Sequence, residues 1–251
     1  MFYINNKIIQ FKNHVIKLVT NNVNPLNLPP NTIRVKFSSG YTPTMGDTQT
    51  LVNANENIWD IYKQSNNWTK LFNINDSDPF NELLEVLGAN TSNVINMSNL
   101  FRHCEALTSV SLFDTSNVTN MALMFSTCKK LTSIPFFNTS KVTTMNTMLG
   151  SCSTLTSVPL FDTSNVTNMY QMFVYCSQLT YIPLFNTSKV TNIDKMFSLC
   201  FRVQSGALAL YQQASSQTTP PATHKQTFND CGKYNQTGAA ELAQIPDDWK
   251  T

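Results

Sequence analysis

Hydrophobic positions recur along the middle of the chain at a fixed interval of 24 residues. Each copy opens with Thr-Ser-Asn-Val or Thr-Ser-Lys-Val, and the copies begin without slippage at Thr91, Thr115, Thr139, Thr163 and Thr187. Self-similarity at a fixed period of this length is the signature of repeats that stack on one another. The pattern therefore predicts a solenoid, in which each copy forms one coil and equivalent residues share an interior column.

The first half of each copy carries apolar residues at helical spacing. In the second copy they are Val118, Met121, Met124 and Phe125, at positions i, i+3, i+6 and i+7. This spacing is typical of one face of an α-helix, and the Ser, Thr and Asn that precede it favour N-caps. The pattern predicts a short helix of about two turns in every coil.

The second half of each copy has the pattern of a strand. In LTSIPFF the inward residues would be Leu131, Ile134 and Phe136, and the following copies hold aliphatic residues at the same positions. A short run that ends in alternate apolar positions is typical of a strand. One strand and one short helix per coil predict an α/β solenoid of the leucine-rich-repeat type, with parallel strands about 4.8 Å apart.

An aromatic column and two polar columns accompany this pattern. Because an exposed ladder of rings would be an aggregation patch, we expect the Phe column to be buried where the strand turns toward the helix. Its members are Phe113, Phe137, Phe161 and Phe185. Asp alternates with Asn in one polar column, and Lys alternates with Asn in the other. We expect Lys141 to pair with Asp114 and Asp162 on neighbouring coils, which relieves repulsion within the Asp column.

Composition limits the classes of function. The chain has 251 residues and a net charge of +2, and only 13% of its residues are charged, so its polar surface is mainly Ser, Thr, Asn and Gln. Such a surface is not the basic footprint of a nucleic-acid-binding protein. No apolar run approaches the roughly 20 residues of a membrane span. The stretch up to Val19 lacks the continuous apolar core of a secretory signal, so we expect no export by that route unless an upstream segment supplies one.

The cysteines belong to one column of the repeat. Equivalent residues lie side by side and point the same way, so five of them cannot all pair, although neighbouring coils are close enough for a bond. We interpret them as small buried thiols. The column consists of Cys104, Cys128, Cys152, Cys176, Cys200 and a displaced sixth member, Cys231. The chain has no Cys-x-x-Cys pair, so we expect no zinc site.

Catalytic and cofactor sites are not indicated by the sequence. The histidines are His14, His103 and His224. His103 lies beside Cys104, but the other members of the Cys column have no neighbouring His. Neither a Gly-rich phosphate loop nor a Ser-His-Asp set is recognisable. Asp76 and Asp78 lack the central Gly and closing Glu of a calcium loop. We therefore predict a protein that is not an enzyme and that holds no metal or cofactor.

The N-terminal third departs from the repeat. Residues 1–56 do not follow it, and alternation at Ile33, Val35 and Phe37 predicts a small β-rich piece that serves as an attachment arm. Residues 57–90 match the repeat with a five-residue insertion, and we interpret them as a degenerate cap that precedes the five copies. In this cap Asn67, Trp68, Leu71, Phe72, Leu83 and Val86 match apolar and polar columns of the repeat.

The five copies span residues 91–200, and residues 201–251 form a C-terminal cap. ALALYQQAS is predicted to be a helix, and a displaced sixth coil ends at Cys231 after a seven-residue insertion. ELAQIPDDW is predicted to be a last strand that carries Leu242, Ile245 and Pro246. A cap that covers the end of the stack is required for the solubility of a solenoid.

The motif TSNVTNMxxMFxxCxxLTSxP resembles the BspA-like leucine-rich repeat, a family of bacterial surface proteins that phages also carry. The likeness covers residues 91–200 strongly, and 57–90 and 201–246 more weakly. The usual family repeat is slightly longer, which implies a tighter corner here and a buried Phe column. The chain ends resemble, more loosely, repeat proteins of gut Bacteroidales and their phages. The resemblance implies adhesion, surface binding or protein–protein contact, and no catalysis.

These features predict a virion structural or decoration protein, or a fibre or tail component, of a phage. It would contact other virion proteins or its own copies through residues 1–56, and a host glycan or protein elsewhere. It would be located in the virion; a bacterial cell-surface adhesin is the alternative. Candidates for ligand binding are the outward strand positions, Ser111, Pro135, Pro159, Pro183 and Tyr181. Because Pro lacks an N–H and weakens a ladder, the Pro column alternatively only relaxes the sheet.

Overall fold

Strands form the N-terminal part of the protein. The computed structural model describes residues 2–4, 7–12, 15–20, 26–43, 48–63, 65, 68–69 and 80–251. The first three strands form an antiparallel sheet and are β1 (Phe2–Ile4), β2 (Lys7–Lys12) and β3 (Val15–Thr20). Of the residues matched to the repeat in the N-terminal cap, Asn67, Leu71 and Phe72 lie outside the described residues, as do Asp76 and Asp78.

A five-stranded sheet joins the N-terminal region to the first repeat. Its strands are β4 (Thr32–Phe37), β5 (Thr48–Asn53), β6 (Ile58–Tyr62), β7 (Leu83–Asn90) and β8 (Ser109–Val110). The spatial order is β5-β6-β4-β7-β8, and only β7 and β8 are parallel. Ile33, Val35 and Phe37 of β4 are at most 1% exposed. The boundary predicted at residue 56 falls inside this sheet, because β5 and β6 are hydrogen-bonded neighbours.

The apolar columns of the repeat face inward. Met121, Met145 and Met169 are fully buried, and the Val and Phe positions around them are 3% exposed or less. The expected burial of the corner Phe column is confirmed: Phe113, Phe137, Phe161 and Phe185 are at most 2% exposed. Removing this much apolar surface from water, at about 25 cal/mol per Å², is the main stabilisation that the repeat region receives.

The short helix predicted in the first half of each coil is wrong. In the second coil, residues 122–127 form successive turns, and the N–H of Ser126 donates to the Leu123 carbonyl at 3.1 Å. Alternate N–H groups cross to the next coil instead, as when Thr127 N donates to Gly150 O at 2.7 Å. An α-helix bonds each interior N–H four residues back, which would leave none to join neighbouring coils.

Left-handed residues produce this alternation. Every coil has two of them, four positions apart; in the second coil they are Leu123, with φ 59°, and Thr127, with φ 66°. A positive φ at the third residue of a turn is the mark of a type II turn, where Gly or Asn is usual. A non-Gly residue there costs about 1–3 kcal/mol and persists only where its surroundings enforce it. Here the hydrogen bonds between coils enforce it.

The strand predicted in the second half of each coil is present only in the first coil, as β8. The first coil has Ser111 at the position where later coils have Pro, such as Pro135. Ser111 N donates to Val86 O of β7 at 2.8 Å, and Pro has no N–H with which to make this bond. The parallel sheet therefore stops after β8. Parallel bridges continue instead in the first half of the coils, through Asn96, Asn120, Thr144, Asn168, Asn192 and Thr223.

Polar columns hydrogen-bond along the stack. Thr115 is 1% exposed, and its hydroxyl donates at 2.8 Å to the carbonyl oxygen of Asn138, the residue that immediately precedes the next coil. Lys141 Nζ donates to Asn117 Oδ1 of the preceding coil at 2.7 Å. The predicted pairing of Lys with Asp is therefore wrong. Asp114 instead accepts a backbone N–H two residues later and closes a turn of its own coil.

Two helices and a displaced coil end the chain. The helical elements are α1 (Ala207–Ser215), α2 (Gln236–Ala243) and a 3-10 helix (Asp247–Trp249). α1 coincides with the stretch predicted to be helical. The predicted last strand is wrong, because Leu242 lies in α2. The displaced coil continues the stacking pattern, since Phe197 N donates to Thr227 O at 2.8 Å and the Phe228 ring lies parallel to Phe197 at 6.2 Å.

The six cysteines are free and buried. The Cys152 thiol donates to the Phe125 carbonyl oxygen at 3.2 Å, and its equivalents in the second, fourth and fifth coils make the same bond. The column thus satisfies carbonyl groups inside the stack. Burial raises the pKa of Cys152 to about 12, and it raises the pKa of the other thiols too.

We expect the thiols of the folded protein to react very slowly with DTNB at about pH 8. That pH lies below the raised pKa, so the reactive thiolate is scarce, and the sulfur atoms are shielded from the reagent. Unfolding in guanidinium should release all six as fast-reacting groups. The measurement is the thiol count before and after unfolding. A fast-reacting thiol in the native protein would contradict the burial of the column.

We expect Thr127→Asn to stabilise the protein by about 1 kcal/mol, because Asn tolerates a positive φ and a β-branched residue does not. Urea unfolding measures the change. The same substitution at Thr132, which is exposed and has no positive φ, is the control and should change stability by less than about 0.5 kcal/mol. A loss of stability in Thr127→Asn would contradict the left-handed geometry.

Candidate functional site

The predicted recognition residues differ in accessibility. Three of them are half-buried: Ser111, Pro135 and Pro159. Pro183 is buried, and Tyr181 is 52% exposed. The backbone of Tyr181 forms a parallel bridge with Ser205 of the next coil. Of the predicted set, Tyr181 is therefore the residue that presents its side chain to solvent.

The position after each Pro is more exposed than the sequence pattern predicts. Leu160 is 54% exposed and Leu184 is 46% exposed, although the strand pattern places both inside. For Leu184 the cause is the backbone at Pro183, whose carbonyl oxygen accepts the N–H of Phe185 at 2.9 Å. A bond between residues two apart is a γ-turn, and it directs the Phe inward and the Leu outward.

Aromatic rings form a row across the last coils. Tyr175 meets Phe201 edge-on, with ring centroids 6.2 Å apart, and Phe201 stacks on Tyr234 at 5.0 Å. Tyr175 is 48% exposed and Tyr234 is 71% exposed. We name these three residues the aromatic row. The rings hold one another in place and still present large surfaces to solvent, as aromatic anchors of recognition sites do.

A pocket of about 330 Å³ lies beside the aromatic row. It is lined by Thr180, Arg202, Gln204, Tyr234 and Asn235. The Thr180 hydroxyl donates to the preceding coil, and Asn235 Oδ1 accepts the N–H of Thr237 at 2.9 Å at the start of α2. The fold thus fixes two of the lining side chains. Those of Arg202 and Gln204 make no hydrogen bond to any residue in the described part of the chain.

Positive charge in the pocket comes from Arg202. It forms no salt bridge with a described residue, and no acidic residue lines the pocket. The neighbouring cation, Lys233, is paired with Asp230 at 3.1 Å, and this hydrogen bond raises the pKa of Lys233. The arrangement can therefore offer a guanidinium to an anionic group, together with amide groups and an aromatic face.

The aromatic row departs from the repeat. The equivalents of Tyr175 in other coils are His103, Thr127, Ser151 and Leu199. The equivalents of Phe201 are Glu105, Lys129, Ser153 and Ser177. The other coils fold with His, Thr, Ser, Leu, Glu or Lys at these positions, so the stack does not require Tyr or Phe there. Reading every column for such departures, as for Tyr181, would have found Tyr175 and Phe201 from the sequence, but not Tyr234, which lies in the C-terminal cap.

Close packing of Gly238 fixes the position of the pocket wall that Tyr234 and Asn235 form. A Cβ on Gly238 would lie 2.0 Å from the carbonyl oxygen of Val203, so only Gly allows α2 to approach the last coil. Tyr234 N donates to Phe201 O at 3.0 Å and anchors the other end of this wall. Together these contacts place Tyr234 and Asn235 opposite Arg202.

Among the other pockets of the described chain, one of about 430 Å³ is lined in part by Lys36, Phe37 and Trp59. A pocket of about 370 Å³ includes Tyr170, Asp194 and Lys225, but Asp194 Oδ1 already accepts the Lys225 N–H at 2.6 Å. Within the described residues, no group of three His, Cys, Asp or Glu side chains could hold a metal ion. Nor does any described helix have the length and apolarity needed to cross a bilayer.

Comparison with known proteins identifies one family. The family model described as "Mycoplasma protein of unknown function, DUF285" matches residues 66–178 and 132–241. Together the two overlapping matches cover more than half of the 251 residues, including the aromatic row and most of α2. No curated protein and no solved structure matches the chain.

We expect Gly238→Ala to destabilise the protein by about 2 kcal/mol or more, because the added methyl group overpacks against the Val203 carbonyl. The sign is diagnostic, since Ala in a helix is otherwise favoured over Gly by about 1 kcal/mol. Thermal and urea unfolding measure the effect. Thr237→Ala, in the same turn of α2 but exposed, is the control. A more stable Gly238→Ala variant would contradict the close approach.

Proposed function

The chain belongs to the DUF285 family, a BspA-like Mycoplasma repeat family, and we propose that it is a non-enzymatic recognition protein built as a leucine-rich-repeat solenoid. The observation that carries the proposal is the aromatic row beside a pocket with an unpaired Arg202. Tyr175 and Phe201 of the aromatic row occupy positions where the stacking of the coils does not require aromatic residues. The hydrogen bonds between successive coils support the solenoid, since they repeat with the period of the sequence.

The non-enzymatic part of the proposal is supported by the state of the thiols. A catalytic cysteine needs a lowered pKa and access to substrate. Cys104, beside His103, is buried, and burial raises the pKa of its thiol. The exposed polar columns also support a structural role. Their Thr, Asn and Lys side chains form hydrogen bonds between successive coils.

We further propose that the protein is a structural or decoration component of a phage particle, in its head, fibre or tail. Residues 1–56 would attach it to other virion proteins or to a second copy. The last coils would remain available to contact a host surface. The support is twofold: the resemblance of the repeat and chain ends to phage-encoded repeat proteins, and the position of β4–β8 at the first coil, away from the aromatic row in the last coils.

A bacterial cell-surface adhesin is the second candidate. The observation that favours it is the family description, which names a bacterial genus, Mycoplasma. The same aromatic row and pocket would then contact another cell or its matrix. The recognition surface is the same in both candidates. They differ in whether a phage particle or a bacterial cell carries the protein.

We expect the chain to copurify with phage particles through a density gradient, at a constant ratio to the major capsid protein. The measurement is quantitative mass spectrometry of the gradient fractions. Protease treatment of intact host cells, followed by mass spectrometry of the released peptides, is the matched comparison. Release from the cell surface together with absence from particles would overturn the virion proposal and favour the adhesin.

A further inference from the structure

We propose that the pocket beside Tyr234 binds an acidic sugar, a pyranose that carries a carboxylate. The proposal rests on the recognition function proposed above and names the ligand class of that same site. Three groups carry it: an aromatic face, planar amide groups at its edge, and an unpaired guanidinium. Each matches a different part of a carboxylated pyranose.

The aromatic face matches the apolar side of the sugar ring. A pyranose has C–H groups on one face and hydroxyl groups around its rim, so it stacks on an exposed aromatic ring. Tyr234 is 71% exposed, and Phe201 backs it at 5.0 Å. A ring supported in this way has little freedom left to lose when a ligand stacks on it.

The amide groups match the hydroxyl rim. The Oδ1 atom of Asn235 is occupied by the N–H groups of Thr237 and Gly238, so its NH₂ group is the part that remains to donate. The Gln204 amide has no hydrogen bond to a described residue and can donate and accept at once. Neighbouring hydroxyls of a sugar likewise present both donors and acceptors.

The guanidinium of Arg202 selects for a carboxylate. Its fork of N–H donors fits the two oxygen atoms of a carboxylate. Asp230 is engaged by Lys233, and the lining residues include no acid that would repel an anionic ligand. A neutral sugar would leave this cation without a partner.

A single sugar residue fits the site better than a peptide strand does. The volume of about 330 Å³ lies at the small end of ligand sites, which run from about 300 to 1,000 Å³. Peptide strands bind through unpaired backbone groups at a sheet edge. Here the backbone is already used, because Gln204 N donates to Thr180 O at 2.8 Å and Tyr234 N donates to Phe201 O. The groups that can bind a ligand here are therefore the side chains that line the pocket beside the Tyr234 ring.

A glycan array tests the proposal on the full-length protein. The array carries glycans with uronic or sialic acid residues and the same glycans without the carboxylate. We expect at least about tenfold stronger retention on the acidic members, which is the effect of one charge-assisted hydrogen-bonded pair. Arg202→Gln should reduce acidic retention about tenfold, to the neutral level. Tyr234→Ala should reduce retention on both kinds of glycan.

Lys130→Gln is the matched control. Lys130 is exposed and occupies the position of Arg202 in the second coil, so its loss removes the same charge far along the stack from the pocket. It should leave retention unchanged. Thermal unfolding checks that each variant is folded; because Arg202 is exposed, Arg202→Gln decides the test even if Tyr234→Ala does not fold.

Three results would overturn the proposal: equal retention of acidic and neutral glycans, no retention of any acidic glycan, or acidic retention that survives Arg202→Gln. If no glycan is retained but a purified host protein binds and Tyr234→Ala abolishes that binding, the ligand is a protein. The recognition function then stands and the acidic sugar is rejected. The presence of the chain in particles is measured separately and does not depend on this outcome.

Discussion

The repeat region depends on backbone hydrogen bonds that run from one coil to the next. Thr127 N reaches Gly150 O, and residues 24 apart bridge in parallel through the whole array. A buried N–H or C=O without a partner costs about 1–3 kcal/mol, and each coil brings several of them inside. Through the five copies, equal coil length aligns these groups. The constant period of the sequence therefore serves backbone pairing as well as side-chain packing.

Side chains also form hydrogen bonds with the buried backbone groups. Thr115 and its equivalents donate a hydroxyl to the residue just before the next coil, and Cys152 and its equivalents donate a thiol to the previous coil. The Asn column closes turns by accepting backbone N–H groups, as Asn120 does from Ala122. These polar columns explain why the interior contains Thr and Cys at fixed places among Val, Met and Phe. A purely aliphatic column at those places would leave carbonyl groups unsatisfied.

The sequence predicts which residues are buried far better than it predicts the secondary structure. The Met, Val and Phe columns and the helix α1 follow from periodicity, which burial enforces. The helix predicted at Val118–Phe125 fails because successive turns and an α-helix place apolar residues inward at similar spacing. The successive turns differ from a helix at the residues with a positive φ. Leu123 is one of these residues, and because it is neither Gly nor Asn, the sequence does not reveal its conformation. The strand at Leu131–Phe137 fails because Pro135 cannot donate to a ladder.

Part of the candidate site could be predicted from the sequence. Tyr181 departs from its column, and the same comparison identifies Tyr175 and Phe201, two of the three residues of the aromatic row. The approach of Tyr234 and Arg202 was not predictable, because it depends on how Gly238 packs against Val203 after a seven-residue insertion. Departures from a repeat mark positions that stacking leaves free to vary. Their assembly into a site depends on the cap, which has no internal copy for comparison.

The interchangeability of the coils has a consequence for how such a protein can change its reach. The backbone hydrogen bonds between coils recur with the period of the sequence, so a gene that gains or loses one whole copy by unequal recombination keeps these backbone bonds in register. Such an event would displace the C-terminal end by about 4.8 Å without altering either end. The distance between the first and the last coil can thus evolve in fixed steps, and under the proposed function this is the distance between the attachment region and the recognition surface.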